Sequence, residues 1–279
     1  MYKLGIIGYP LGHSISAAIQ KAGLNSIGEE CVYDVLETAP EDLINRIKYL
    51  KTNGYDGFNV TIPLKVPMSL FLDDIDNYAN IAGCVNTVKV MQDKSFFGYN
   101  TDIYGFKKAI PQNIDLRGKN ASILGTGGAA RAAVAGLSEL GISEIDFYSR
   151  NLLNTQEVMN YVRAKFPNIT FNIYQIQNIR SLAHTDIVIN ATPIGMKGFM
   201  ADQMPLEPSD LDKLNSRTIV YDIVYNPIKT VLIQEAQKRG LVTIGGLDML
   251  IRQAERAIEI WTGKTPDVQA MKIAALETL

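Results

Sequence analysis

The sequence predicts an α/β fold in two domains. Strand, helix and strand signals follow one another through the first sixty residues. A glycine turn then sits between an apolar strand and an alanine-rich helix near residue 125. At 279 residues with 47% apolar content, the chain has material for one large or two moderate cores without disulfide staples.

Leu4 to Ile7 is a short apolar strand closed by Gly8, Tyr9 and Pro10, and CVYDVLE (31–37) is the next. Thr38-Ala39-Pro40-Glu41 reads as a capping box with proline in the first turn. It opens a helix whose Leu43, Ile44, Ile47 and Leu50 recur every three or four residues. In GFNVTIPLKVP (57–67), Phe58, Val60 and Ile62 alternate to one side as anchors and Asn59 and Thr61 to the other. Pro63 ends the strand and presents Lys65 from a stiff base. CVNTVKV and SFFGYNTD supply two more strands around a turn at Gln92 to Lys94. Residues 1–102 thus read as one mixed-sheet α/β domain.

From Leu116 the pattern becomes repeated strand and helix: NASIL with the glycine turn and its helix, EIDFYSR, a helical stretch from Leu152 to Phe166, HTDIVINATP and RTIVYDIVYNP. Asn226-Pro227 reads as a helix start, with Val231, Leu232 and Ala236 on the buried side and Lys238, Arg239 and Gly240 at the finish. The second domain covers 103–244. In the tail, 245–279, Leu247, Leu250, Ile251, Ala254, Ile258 and Trp261 form one helical stripe, and PDVQAMKIAALETL gives a shorter helix. About 35 residues cannot build their own core, so the tail must pack on one of the two domains; periodicity does not say which.

Composition removes several function classes. A formal charge of −2, from 27 basic and 29 acidic residues, carries no footprint for nucleic acid. Cys31, Cys84, His13 and His184 have no metal-ligand spacing, so no metal is expected and both cysteines read as free thiols. No window approaches 18 apolar residues, and the N-terminal apolar run is broken by Gly8 and Pro10. The expectation is a cytoplasmic protein with no membrane partner. The tail has no extended heptad, which leaves a monomer or a homodimer.

Gly125-x-Gly127-x-x-Ala130 is the dinucleotide fingerprint in its alanine-ended form, placed between a strand and a helix as the mechanism needs. Gly125 permits the tight turn, Gly127 lets a phosphate approach the backbone, and the helix N-terminus offers free N–H groups. The second domain is therefore Rossmann-like. At the end of its next strand Asp146 lies early and Arg150 lies at the mouth, where a guanidinium suits a 2′-phosphate, so NADP is favoured over NAD.

Polar residues gather at strand ends in the first domain: Ser14 with Ser16, Asn59 with Thr61, Asn86 with Thr87, and Asn100, Thr101 and Asp102. Short donors and acceptors fit a small, hydroxyl-rich, partly anionic ligand. Lys65 and Asp102 brought together can move a proton while a hydride moves to or from a nicotinamide. Taken singly, Lys65 also reads as a lysine that limits strand pairing and Asp102 as a capping aspartate. The residues alone support an NADP oxidoreductase acting on a polyol or keto acid.

Eight ordered motifs carry a resemblance across nearly the whole chain: HSIS (13–16), GFNVTIPLK (57–65), AGCVNTV (82–88), GYNTDIYGF (98–106), GTGGAAR (125–131), NATPIGM (190–196), YDIVYNP (221–227) and GLDMLIRQ (246–253). The chain resembles the shikimate dehydrogenase family. That resemblance implies reversible oxidation of shikimate to 3-dehydroshikimate with NADP, on the route to chorismate and the aromatic amino acids. It implies a substrate domain to which the C-terminal helices return, and an NADP domain. It makes Lys65 and Asp102 the catalytic pair, with Ser14, Ser16 and Tyr225 on the substrate carboxylate. Asn59, Asn86, Lys65, Asp102 and Gln253 serve its ring hydroxyls, and Thr61 also contacts the substrate. NADP would meet Gly125, Thr126, Gly127, Gly128 and Ala129, then Ser149, Arg150 and Asn151, and Ile223 and Gly246 near the nicotinamide.

The chain departs from the family pattern at Ile15, Ala17, Gln20, Leu64, Cys84 and Ser149, and none of these removes a catalytic group. Two other readings compete: a quinate or quinate/shikimate dehydrogenase, and a non-catalytic nucleotide-binding regulatory protein.

Overall fold

The structure is a computed structural model. It describes residues 1–12, 14–150, 152–176, 179 and 182–279, and their side chains except those of 152–154 and 157. His13 and Asn151, both named above, lie outside the described residues. The contacts divide the chain into two compact units, Met1–Gly105 with Ile251–Leu279, and Phe106–Leu250.

The first unit runs β1 (Tyr2–Gly8), α1 (Ser16–Ser26), β2 (Cys31–Glu37), α2 (Leu43–Thr52), β3 (Gly57–Val60), β4 (Asp74–Ile75), α3 (Asn77–Ala82), β5 (Thr87–Val90), β6 (Phe96–Tyr99) and the first turn of α4 (Asp102–Ala109). Its strands form one mixed sheet in the order β2-β1-β3-β5-β6-β4. The run β2, β1, β3 is parallel, β3, β5 and β6 are antiparallel, and β4 lies parallel to β6. Ile7, Leu50, Phe58, Leu64, Val88 and Phe96 are buried in one core, where Phe58 and Phe96 meet edge to face at 5.3 Å.

Two expectations fail here for local reasons. The capping box does not form. The Thr38 hydroxyl instead donates to the Leu36 carbonyl at 2.8 Å and accepts from Arg46 Nε at 2.9 Å, and Pro40–Asp42 winds as a 3-10 turn ahead of α2. Ile62 does not anchor β3 and is 71% exposed. The strand stops at Val60, and Leu64 N–H donates back to the Thr61 carbonyl at 2.8 Å. That turn throws Ile62 outward and drops Leu64, fully buried, into the core.

The second unit continues with β7 (Asn120–Leu124), α5 (Gly128–Glu139), β8 (Glu144–Ser149), α6 (Leu152–Lys165), β9 (Thr170–Gln175), β10 (Ile187–Asn190), α7 (Pro208–Leu211), β11 (Ile219–Asp222), α8 (Val231–Lys238) and β12 (Val242–Ile244). Its sheet is parallel throughout, in the order β9-β8-β7-β10-β11-β12. This is the doubly wound arrangement whose strand order reverses between the first and fourth strands, here β7 and β10. The central strands are apolar on both faces, with Ile123, Phe147 and Ile189 in one core and Leu124, Tyr148 and Val188 in the other. Strands β9 and β12 lie at the edges and were not anticipated. The helix expected at Asn226-Pro227 starts later: Thr230 is its cap and accepts from Ile233 N–H at 3.3 Å. The Asn226 carbonyl is taken by Lys197 N–H at 2.7 Å.

The tail forms α9 (Gly246–Thr262) and α10 (Val268–Thr278), and from Ile251 onward it belongs to the first unit. Trp261 locks it there, donating from Nε1 to the Val88 carbonyl of β5 at 3.0 Å. A Cβ on Gly57 would lie 2.2 Å from that Nε1 and 2.7 Å from the same carbonyl. We expect Gly57→Ala to cost about 2 kcal/mol, the scale of an overpacked core, read as a lower midpoint in urea unfolding.

Candidate active site

Lys65 follows the turn at 61–64, with buried Leu64 beneath it and its own carbonyl held by Val85 N–H at 2.9 Å. Asp102 opens α4, where the positive end of the helix dipole favours a carboxylate. The Asn100 Oδ1 caps that helix start, accepting from Asp102 N–H at 3.1 Å and Ile103 N–H at 3.3 Å, while its Nδ2 donates to the Cys84 carbonyl at 3.0 Å.

These supports bring the two side chains together. Lys65 Nζ donates to Asp102 Oδ2 at 2.5 Å, with side-chain exposures of 18% and 9%. Burial by itself lowers the lysine's pKa, and the adjoining Asp102 carboxylate more than offsets it, so the ammonium is held above its ordinary value. Lys65 is therefore a cation at neutral pH, in a site where a charge acts more strongly than in water.

Asn86 extends the cluster. Its Nδ2 donates to Asp102 Oδ1 at 2.7 Å and to Thr101 Oγ1 at 3.0 Å, and its Oδ1 accepts from Thr101 N–H at 2.8 Å. Gln253, on the α9 segment that joins this unit, accepts from Thr101 Oγ1 at 3.3 Å and from Asn86 Nδ2 at 3.5 Å. Lys65, Asp102, Asn86 and Gln253, four of the residues expected from the sequence, thus form one polar cluster.

Asn59 is engaged by the protein itself. It is buried, and its amide is saturated by protein: Oδ1 accepts from Tyr33 Oη at 2.7 Å and Gln20 Nε2 at 3.2 Å, and Nδ2 donates to Thr87 Oγ1 at 3.1 Å and the Asn86 carbonyl at 3.3 Å. It braces the strand beside Asn86. Tyr33 and Gln20 were missed as partners because they come from β2 and α1; the signal available was an aromatic with a hydroxyl inside an otherwise alternating strand. Ser14 and Ser16 lie at the start of α1, where Ser14 Oγ accepts from Ser16 N–H at 3.4 Å. Thr61 is half-buried, with its N–H on the Ile7 carbonyl at 2.9 Å.

In the second unit the glycine turn lies at the strand-order reversal. Gly125 has φ +100°, and a Cβ there would press on the Ala191 carbonyl at 3.1 Å, beyond the end of β10. Gly127 is the N-cap of α5 and supplies no capping side chain, and a Cβ on it would meet no protein atom within 4 Å. Packing does not require glycine at 127, whereas a phosphate brought against uncapped N–H groups does, so the residues fit a dinucleotide. Thr126 completes the turn, and Gly128 and Ala129 open α5. Ser149, buried, ends β8, and Arg150 follows it exposed. Asp146 accepts from Asn172 Nδ2 at 2.8 Å across to β9, which engages its carboxylate within the sheet. Ile223 and Tyr225 follow β11. Gly246 packs so closely that its Cβ would fall 2.1 Å from the Ile223 carbonyl oxygen. Burial raises the Tyr225 phenol pKa.

Residues 6–88 match the model of the shikimate dehydrogenase substrate binding domain, and residues 246–276 that of the shikimate 5′-dehydrogenase C-terminal domain. Shikimate dehydrogenase (NADP(+)) of Archaeoglobus fulgidus is 38% identical over 279 residues, spanning 100% of this chain and 99% of its own. The chain belongs to the shikimate dehydrogenase family. Solved family structures agree in fold. A shikimate dehydrogenase in complex with NADP+ superposes with a TM-score of 0.90 at 35% identity, over 99% of this chain and 95% of the other. Shikimate 5-dehydrogenase of Thermus thermophilus, in complex with NADP(H) and shikimate, gives 0.84 at 31% identity over the whole of both chains. Among the described residues no group of His, Cys, Asp and Glu is placed to hold a metal, and no helix is long and apolar enough to cross a membrane.

Against the family's pattern, Leu64 is explained as a core residue, and Gln20 as a donor to Asn59. We expect Tyr33→Phe, which withdraws the shorter of the two bonds to Asn59 Oδ1, to lower unfolding free energy by about 1 kcal/mol in urea titration.

Proposed function

We propose that this chain oxidises shikimate reversibly to 3-dehydroshikimate with NADP, as a step toward chorismate and the aromatic amino acids. The observation that carries the reading is the largely buried Lys65–Asp102 pair, 2.5 Å apart and joined to Asn86 and Gln253. When bound, NADP supplies the nicotinamide that accepts or returns the hydride.

The protein's part is to manage the oxygen at C3. During ketone reduction that oxygen gains negative charge, and the Lys65 ammonium, kept cationic by Asp102, stabilises it and stands ready to protonate it. In oxidation the hydroxyl proton leaves to the Lys65–Asp102 pair as the hydride leaves C3. Asp102 orients the hydroxyl and keeps the lysine in place; Asn86 and Gln253 hold the neighbouring ring hydroxyls. Ser14, Ser16 and Tyr225 are assigned to the carboxylate and Thr61 to the ring. Asn59 is assigned to the ring hydroxyls as well, and its bonds to the Asn86 carbonyl and Thr87 brace the chain at Asn86.

For the cofactor, the turn from Gly125 to Ala129 is assigned to the pyrophosphate, Ser149, Arg150 and Asn151 to the adenosine 2′-phosphate side, and Ile223 and Gly246 to the nicotinamide. We place the enzyme in the cytoplasm, as a monomer or a homodimer.

The deciding experiment follows reduced-nicotinamide absorbance with shikimate or quinate, each with NADP+ or NAD+. Turnover of shikimate with NADP+ is expected; no turnover with any pairing overturns the enzyme reading, and a preference for quinate overturns the substrate. Lys65→Ala should lower kcat by about 100-fold or more, the loss expected for a positioned acid–base group, and a change in KM alone would make Lys65 a binding residue. Arg150→Ala should raise KM for NADP+ by about tenfold or more and leave that for NAD+ nearly unchanged, because only NADP+ carries the charge the guanidinium meets.

A further inference from the structure

A buried carboxylate that the mechanism does not use ends β11. Asp222 has no exposed surface. Its Oδ1 accepts from Asn190 Nδ2 at 2.9 Å and from Val224 N–H at 3.0 Å, and its Oδ2 accepts from the Thr230 hydroxyl at 2.6 Å. The donors come from the end of β10, from the loop after β11, and from the cap of α8. Asn190 and Thr230 are themselves buried.

The backbone beyond Asp222 is gripped from two further directions. Ile223 N–H donates to the Asn190 carbonyl at 3.0 Å, and Gly246 lies against the Ile223–Val224 peptide so closely that its Cβ would come within 2.1 Å of Ile223 O and 2.8 Å of Val224 C. Asn190 is fixed in turn: its Nδ2 also donates to the Ile194 carbonyl at 3.1 Å, and its Oδ1 accepts from Thr192 N–H at 3.0 Å and Thr192 Oγ1 at 2.7 Å.

A buried carboxylate is a poor device for stability. Burial pushes Asp222 up to about 6 although three donors pull the other way. An apolar group of the same volume often serves stability as well or better. What an apolar group cannot do is fix direction, since several short hydrogen bonds to one carboxylate set the path of the chain that follows.

We propose that Asp222 is a positioning residue for the reaction, acting with Asn190 and Thr230 to hold the backbone of Ile223 to Tyr225 in the conformation that binds nicotinamide and the substrate carboxylate. The inference rests on the roles proposed for Ile223 and Tyr225.

Thr230→Val tests it, because valine keeps the shape and withdraws the hydroxyl. It should raise KM for both shikimate and NADP+ by about tenfold, with kcat within about twofold, the scale of one lost hydrogen bond to a charged group. Thr230→Ser should restore both values. If Thr230→Val does not fold, Thr230→Ala carries the same expectation. A merely structural role lowers the melting temperature and leaves both KM values at wild type, and that result overturns the proposal.

Tyr225→Phe separates the proposal from the reading beneath it. A raised shikimate KM in Tyr225→Phe with wild-type KM values in Thr230→Val defeats the positioning role alone. An unchanged shikimate KM in Tyr225→Phe with a raised NADP+ KM in Thr230→Val defeats the Tyr225 assignment and leaves Asp222 acting through Ile223.

Discussion

A lysine and an aspartate share one largely buried place in the first unit, and the surrounding structure answers to the cost of that arrangement. Taking both charges out of water costs several kcal/mol apiece unless each finds close, well-directed partners. Asp102 has Lys65 on one oxygen and Asn86 on the other, and its helix start is capped by Asn100. Asn86 is buttressed by Thr101 and by Gln253 from the tail. The tail is in turn held by the Trp261 indole on β5, which only a glycine at 57 permits. Remove Lys65 or Asn86 and the carboxylate loses a partner while remaining buried; remove an outer layer and Asn86 or the tail loses its support.

The two units meet different constraints with different sheets. In the first, antiparallel strands let short polar loops converge, so the ends of β5 and β6 can supply Asn86, Asn100, Thr101 and Asp102 from nearby sequence. In the second, parallel strands buried on both faces leave polar chemistry to their carboxyl ends, where the glycine turn, Ser149 and Asp222 all fall.

How far the sequence could be read follows the range of the interactions. Apolar runs such as NASIL and IVIN, and the helix after the glycine turn, are local patterns and were legible as such. The family and its cofactor were legible because whole motifs carry them. Strands β9 and β12 were not, since edge strands are half-exposed and dilute the apolar signal. Ile62 misled because alternation continued in the letters after the strand had ended at Val60. Asn59 sits on a strand whose polar face was plain. That its amide is already filled depends on Tyr33 and Gln20, 26 and 39 residues away, and no local pattern contains that fact.

The first unit is discontinuous in the chain, and this orders its assembly. As the polypeptide leaves the ribosome, residues 106–250 are complete while the first 105 still lack the helices that cover their sheet and supply Gln253. The segment made first is therefore finished last. Until then β5 keeps a bare acceptor where the Trp261 indole will sit, and its apolar neighbours wait without their cover. The aggregation-prone interval of synthesis is the one in which the first 105 residues have been made and residues 251–279 have not.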